Sequence, residues 1–177
     1  MKNNNTRAII LHNELGMRQL KETLSNILLG LSQCPDTIWL VSPWVTDFDL
    51  LDNRSNNWSN LNPTWGARKV RFTELLIYAI ESGCKLNLVA NEDSINHAFI
   101  NRLRTVITDS ESLTIIKSES LHTKGFLTSS LWLAGSMNFT YSGIHLNQEQ
   151  VQLNMSPDII LEMKLEFEET FLGSSHE

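Results

Sequence analysis

The chain has 177 residues, with 14 Lys and Arg against 20 Asp and Glu, so its formal net charge is −6. That length and a 41% hydrophobic share suit one globular domain over residues 1–177 and exclude a disordered chain. No apolar run approaches the ~20 residues of a spanning helix, and Ala8–Leu11 is too short for a signal-peptide core, so a soluble, cytoplasmic protein is expected.

The first residues, Met1 to Thr6, are polar and Asn-rich and suit a frayed or locally paired terminus. From Leu15 onward, Leu20, Leu24, Ile27, Leu28 and Leu31 recur at helical spacing, which predicts an amphipathic helix ending before Pro35. Thr37–Val41 (TIWLV) then reads as a buried strand closed by Ser42 and Pro43. Trp44 to Trp65 holds five asparagines and three tryptophans with no regular period, and is expected as a long loop. It is either a functional lid or arm, or a surface excursion anchored by its aromatics. Lys69–Ser82 reads as a second helix stopped by Gly83, and Lys85–Ala90 as a strand. Asp93 or Ser94 caps a third helix through Ile107 with Ile95, Phe99, Leu103, Val106 and Ile107 inward, and Leu113–Lys117 is a third strand. This alternation is the mark of βαβ crossovers in a mostly parallel sheet.

The last third changes character. Leu121–Thr128 and Leu131–Ser136 flank Ser129 and Ser130 as a hairpin, Gln150–Asn154 is a further strand, and a closing helix runs from Ser156 and Pro157 to Gly173. The fold class expected is therefore α/β: a mixed sheet with helices on both faces, in a single domain.

Chemistry concentrates in the hairpin. His122 and Lys124 are two residues apart, so on a strand both side chains project from one face. The cation favours the neutral imidazole needed for nucleophilic attack, while the ammonium holds a phosphoryl oxygen. Such a tripeptide also arises by chance on surface strands. Thirteen residues after His122, however, comes Gly135-Ser136-Met137-Asn138, followed by Thr140, Gly143, Asn147 and Glu149. Ser136 and Asn138 can hydrogen-bond phosphate oxygens, Gly135 allows close backbone approach, and Glu149 can orient a histidine through its second ring nitrogen.

These residues, HTKGFLTSSLWLAGSMN, resemble the phospholipase D and nuclease superfamily, whose motif is H-x-K-x-x-x-x-D followed by G-S-x-N. The resemblance extends to IWLVSPWV, GCKLNLVANED and GIHLNQEQVQL, covering most of the chain in order. It implies a phospholipase D-like fold and metal-independent phosphodiester cleavage through a phosphohistidine, with no cofactor. Catalytic roles would fall to His122, Lys124, Ser136, Asn138 and Glu149. The family's usual aspartate would fall near Ser129, where this sequence departs from the pattern; its role in the family is mainly structural. The family brings two motifs to one site, whereas here none of His12, His97, His145 or His176 is followed by lysine two residues on. A homodimer sharing one site is therefore implied, as in the short bacterial members.

The SPWVTDFDLLDNR stretch and the HTKG…GSMNFTYSGI run also resemble phospholipase D-like proteins of bacterial phage-defence and DNA-modification clusters, which turns the expected substrate towards nucleic acid. Other subunits of a defence complex are candidate partners. Two alternatives stay open: a phospholipid-cleaving enzyme, against which counts the lack of a basic amphipathic membrane helix, and a nucleic-acid-binding subunit without turnover. Asp47, Asp49 and Asp52 do not have the spacing of a calcium loop and are read as loop solvation or turn makers, with no metal site expected. Arg54, Arg68, Lys69 and Arg71 near Trp58 and Trp65 could bind single strands, or form an ordinary helix start with buried tryptophans. Arg102 and Arg104 read as a solvated helix face. Cys34 and Cys84 form neither a disulfide framework nor a zinc site, and both are expected as small buried hydrophobes.

Overall fold

The computed structural model describes residues 5–173, so the expectation for Met1–Asn4 lies outside it. In chain order the elements are β1 (Thr6–Leu11), α1 (Glu14–Leu31), β2 (Thr37–Val41), β3 (Asp49–Asp52), β4 (Lys69–Arg71), α2 (Phe72–Glu81), β5 (Lys85–Ala90), α3 (His97–Val106), β6 (Leu113–Lys117), β7 (Gly125–Leu127), β8 (Trp132–Gly135), α4 (Tyr141–His145), β9 (Glu149–Asn154) and α5 (Pro157–Phe167). Seven strands form one sheet in the order β1-β9-β8-β7-β2-β5-β6. The β2, β5 and β6 strands run parallel, while β7, β8, β9 and β1 are antiparallel additions.

Period-two patterning explains why both faces are covered. On β2, Ile38 and Leu40 join the core beneath α1, α2 and α3, whereas Trp39 and Val41 join a smaller cluster with Ile160 and Phe167 of α5. The expected mixed sheet with helices on both faces is therefore present. α1 begins where the Asn13 side chain accepts the Gly16 N–H at 2.8 Å, and Glu74 does the same for Arg71 N–H at 3.0 Å at the start of α2.

Several expectations need correction. Of the two readings of the polar lead, Asn5 and Thr6 take the paired one, and they open a strand over Thr6–Leu11 that the sequence did not announce, because its partner β9 lies more than a hundred residues later. The stretch from Trp44 is not structureless: β3 and β4 form a two-stranded ribbon, and Leu50, Leu51, Trp65 and Val70 bury into the main core. That ribbon takes Lys69–Arg71, so α2 starts at Phe72. Asp93 caps a 3₁₀ turn, Ser94–Asn96, that leads into α3, which leaves Ile95 and Val106 exposed instead of inward. Ser156 occupies the N-cap position of α5 without a side-chain capping bond. Cys84 is buried as expected but Cys34 is exposed, in the turn where α1 ends.

Candidate active site

The register of the sheet brings the chemistry to one end. Val41 at the end of β2 pairs with Gly125 at the start of β7, Gly135 at the end of β8 pairs with Val151 of β9, and Leu11 at the end of β1 pairs with Glu149. His122, Lys124, Ser136, Asn138 and Glu149 therefore all lie beyond or at the same edge, where the parallel strands β2 and β5 also terminate. Ligands of open α/β sheets bind beyond the carboxyl ends of the parallel strands.

His122 and Lys124 do not lie on a strand, which corrects the expected boundary. β7 begins only at Gly125, because β2 turns away at Ser42 and Pro43, and a single further bond, Gly135 N–H to the Lys124 carbonyl at 3.3 Å, extends the pairing with β8. Gly125 itself lies under an indole: a Cβ there would meet the Trp132 ring at 2.0 Å. His122 is exposed, and among the described residues no hydrogen bond reaches its ring. The Lys124 ammonium donates to the His122 carbonyl at 2.8 Å, which folds the two residues into one compact unit.

Across the hairpin, Gly135 permits the close approach of β8 to β9, since a Cβ would stand 2.0 Å from the Gln150 carbonyl oxygen. Ser136 is fixed by that neighbour: its N–H donates to the Gln150 carbonyl at 3.0 Å and its hydroxyl accepts the Gln150 N–H at 3.1 Å. Asn138 accepts from the Ser42 hydroxyl at 3.4 Å through its side-chain oxygen, and among the described residues its amide NH₂ has no acceptor, so it remains a free donor. Glu149 accepts from the Asn147 amide at 3.3 Å and makes no bond to His122 within the chain. The arrangement thus supplies an unengaged imidazole, an ammonium and an amide donor at one edge.

The position of the family's usual aspartate is remote from this edge. Ser129 lies in the turn at the opposite end of the hairpin, where its N–H donates to the Asp36 carboxylate at 2.6 Å. Sequence reasoning missed the frame behind the site. Ser42, fully buried, donates to the Trp44 carbonyl at 2.7 Å and accepts the Phe139 N–H at 3.2 Å. Asn96, also fully buried, accepts the Val45 N–H at 2.7 Å and donates to the Pro43 and Asn91 carbonyls at 3.0 and 2.9 Å. The only sequence signal was a polar residue beside a strand end for Ser42 and one just ahead of a helix for Asn96.

A second cleft, of about 850 Å³, opens between α1, the β3–β4 ribbon and α4. In it Lys21 and His145, a histidine without the H-x-K context, meet at 2.7 Å, and the His145 Nδ1 faces the Tyr141 carbonyl at 3.0 Å. Burial lowers both pKa values, and for His145 the Lys21 charge adds to the effect. The basic group around the ribbon is neutralised: Arg54 pairs with Asp52, Arg68 with Glu74, Lys69 with Asp49 and Arg71 with Asp47. The Arg54 hydrogen bonds hold Asp52 down to about 2. Trp65 is buried, so this group does not form an open stacking surface with it. The three aspartates of the loop are thus spread over separate cationic partners.

The fold is an α/β domain whose His122, Lys124, Ser136, Asn138 and Glu149 sit at one end of a mixed sheet. The family model described as cardiolipin synthase, PLD-like domain, matches residues 61–171, and the chain belongs to this phospholipase D-like family. Its fold is similar to that of NucT from Helicobacter pylori, at a TM-score of 0.65 with 12% identity over 93% of each chain. It is also similar to Nuc from Salmonella typhimurium, described as a phospholipase D family member, at 0.62 with 14% identity over 93% of this chain and 91% of that one. TrmBL2, described as an archaeal chromatin protein with a novel mode of DNA binding, aligns at 0.56 with 9% identity, covering 96% of this chain and 52% of its own. No curated protein matches by sequence. Among the described residues no helix is long and apolar enough to cross a membrane.

Proposed function

We propose that this chain is a metal-independent phosphodiesterase acting on nucleic acid, with its catalytic site completed by a second copy of itself. The observation that carries the reading is the convergence of His122, Lys124, Ser136, Asn138 and Glu149 on one sheet edge, with the His122 ring unengaged. One chain brings one H-x-K motif to this edge, and family membership supplies the logic for two. In one subunit an imidazole nitrogen of His122 attacks phosphorus. The bond to the leaving oxygen breaks, and His122 of the partner subunit gives that oxygen its proton. Water, deprotonated by the same partner imidazole, then displaces the phosphohistidine and restores both groups.

Lys124, Ser136 and Asn138 stabilise the phosphoryl oxygens as charge builds on them, and Glu149 orients the attacking imidazole. Two Lys124 ammoniums around one phosphodiester supply local positive charge that the net charge of −6 hides. Nucleic acid is favoured as substrate by the likeness to phospholipase D-like proteins of phage-defence clusters, and cleavage of foreign DNA is the role this suggests. The test is hydrolysis of bis-p-nitrophenyl phosphate and of single- and double-stranded DNA in excess EDTA. The wild type should turn over, and His122→Ala should lose about 10³-fold or more. Loss of wild-type turnover on chelation, or equal turnover by the variant, contradicts the mechanism; tight DNA binding without any turnover favours a binding subunit.

A further inference from the structure

Of the five tryptophans, Trp39 and Trp65 are buried and Trp58 and Trp132 half-buried, while Trp44 is 41% exposed. Its exposure does not come from a loose backbone. Ser42, Pro43 and Val45 on either side are all buried, and the fully buried Asn96 side chain grips both the Pro43 carbonyl and the Val45 N–H. The Trp44 carbonyl accepts the Ser42 hydroxyl, and the indole N–H donates to the Asp93 carboxylate at 3.1 Å. Backbone and ring edge are therefore both fixed, and the remaining apolar ring surface stays in water. Exposed aromatic surface held this rigidly loses little conformational entropy on binding a ligand.

Its place in the sheet decides which ligand. Ser42, which holds the Trp44 carbonyl, also donates to Asn138, and Val41 pairs with Gly125, so the Trp44 strip leaves the sheet beside the Lys124 strip. The ring edge meets the half-buried Asp93 carboxylate, and on either side of Asp93 in the chain stand Glu92, exposed and paired with Lys117, and the exposed Ile95. A single ring edged by a carboxylate differs from the broad apolar patch of a subunit or membrane contact. We propose that Trp44 is a nucleobase subsite, on which an unpaired base next to the phosphodiester held by Lys124 and Asn138 stacks. The inference rests on the phosphodiesterase reading above. Stacking is tolerant of base identity but needs an unpaired base, so the subsite selects single-stranded or locally opened substrate.

The test uses the full chain in a His122→Ala background, with a fluorescein-labelled single-stranded oligonucleotide read by polarisation. Trp44→Ala should weaken binding about 10-fold, on the scale of one lost stacked base. Trp44→Phe, which keeps a ring and a comparable fold, should stay within about 3-fold, and Trp44→Leu should behave like alanine. An oligonucleotide carrying abasic residues should bind more weakly and show no difference between tryptophan and alanine. Equal affinity of all variants, leucine rescuing as well as phenylalanine, or a penalty that persists on the abasic strand overturns the subsite. Dissociation of the protein into monomers by Trp44→Ala, seen by sedimentation, overturns it in favour of a subunit contact. Wild-type turnover of bis-p-nitrophenyl phosphate with no oligonucleotide binding sinks the subsite alone, whereas oligonucleotide binding that depends on Trp44 with no turnover sinks the catalytic reading alone.

Discussion

Two strips of chain leave the sheet side by side, one after Val41 of β2 and the other before Gly125 of β7. Residues 42–45 are held by buried side chains: Asn96 fixes both flanks of Trp44, and Ser42 ties the strip to Asn138 and Phe139. Residues 122–124 have almost none of this, only the Lys124 ammonium on the His122 carbonyl and one ladder bond to Gly135. The difference separates two jobs that are often conflated. Satisfied buried polar groups make the frame, and unsatisfied exposed ones make the chemistry. Substitutions in the two strips should therefore damage different quantities.

The largest effect is expected in the open strip. Lys124→Met should lower turnover about 10²–10³-fold by removing a donor to the phosphoryl oxygens, with the melting temperature nearly unchanged. A comparable melting loss would mean that Lys124 is structural and the contrast is wrong. In the clamped strip, Asn96→Ala leaves the buried Val45 N–H without an acceptor, while the Pro43 and Asn91 carbonyls each lose one of two donors and keep the Asn91 N–H at 3.1 Å and the Asp93 N–H at 2.9 Å. The expected cost is about 3 kcal/mol, lowering the melting temperature by about 10 °C. Turnover of the small ester by the folded fraction should fall far less than for Lys124→Met. Calorimetry and initial rates on the same preparation decide this.

The smallest effect concerns the far end of the hairpin. Ser129→Asp restores the residue type usual in the family, but places it where Ser129 N–H already meets the Asp36 carboxylate. Like-charge proximity should cost about 0.5 kcal/mol and turnover should not rise. A clear gain in rate would show that this turn communicates with the catalytic edge.

The contrast also explains what the sequence made legible. The structure keeps the expected bounds of β2, β5 and β6, and β2 shows the reason best: Ile38–Val41 is apolar throughout and buried on both faces, whereas β6, at the sheet edge, is only half-buried. The H-x-K and G-S-x-N residues are contiguous in the chain, so their kinship could be read directly. The frame could not, since it joins Ser42 to Asn138 and Val45 to Asn96, pairs that become neighbours only when the sheet forms. β1 was hidden for the same reason, its partner being β9. α4 is five residues long, with its start set by the Thr140 hydroxyl on the Gly143 N–H, too short for any helical period to register.

Whether two copies of His122 work on one phosphodiester is tested by mixing wild-type and His122→Ala chains at varied ratio, with subunit exchange driven to completion. If each site needs both histidines, activity follows the square of the wild-type fraction, so an equal mixture retains about one quarter of the wild-type rate. Activity proportional to the wild-type fraction, about one half in that mixture, would mean that each chain acts alone and would contradict the shared site.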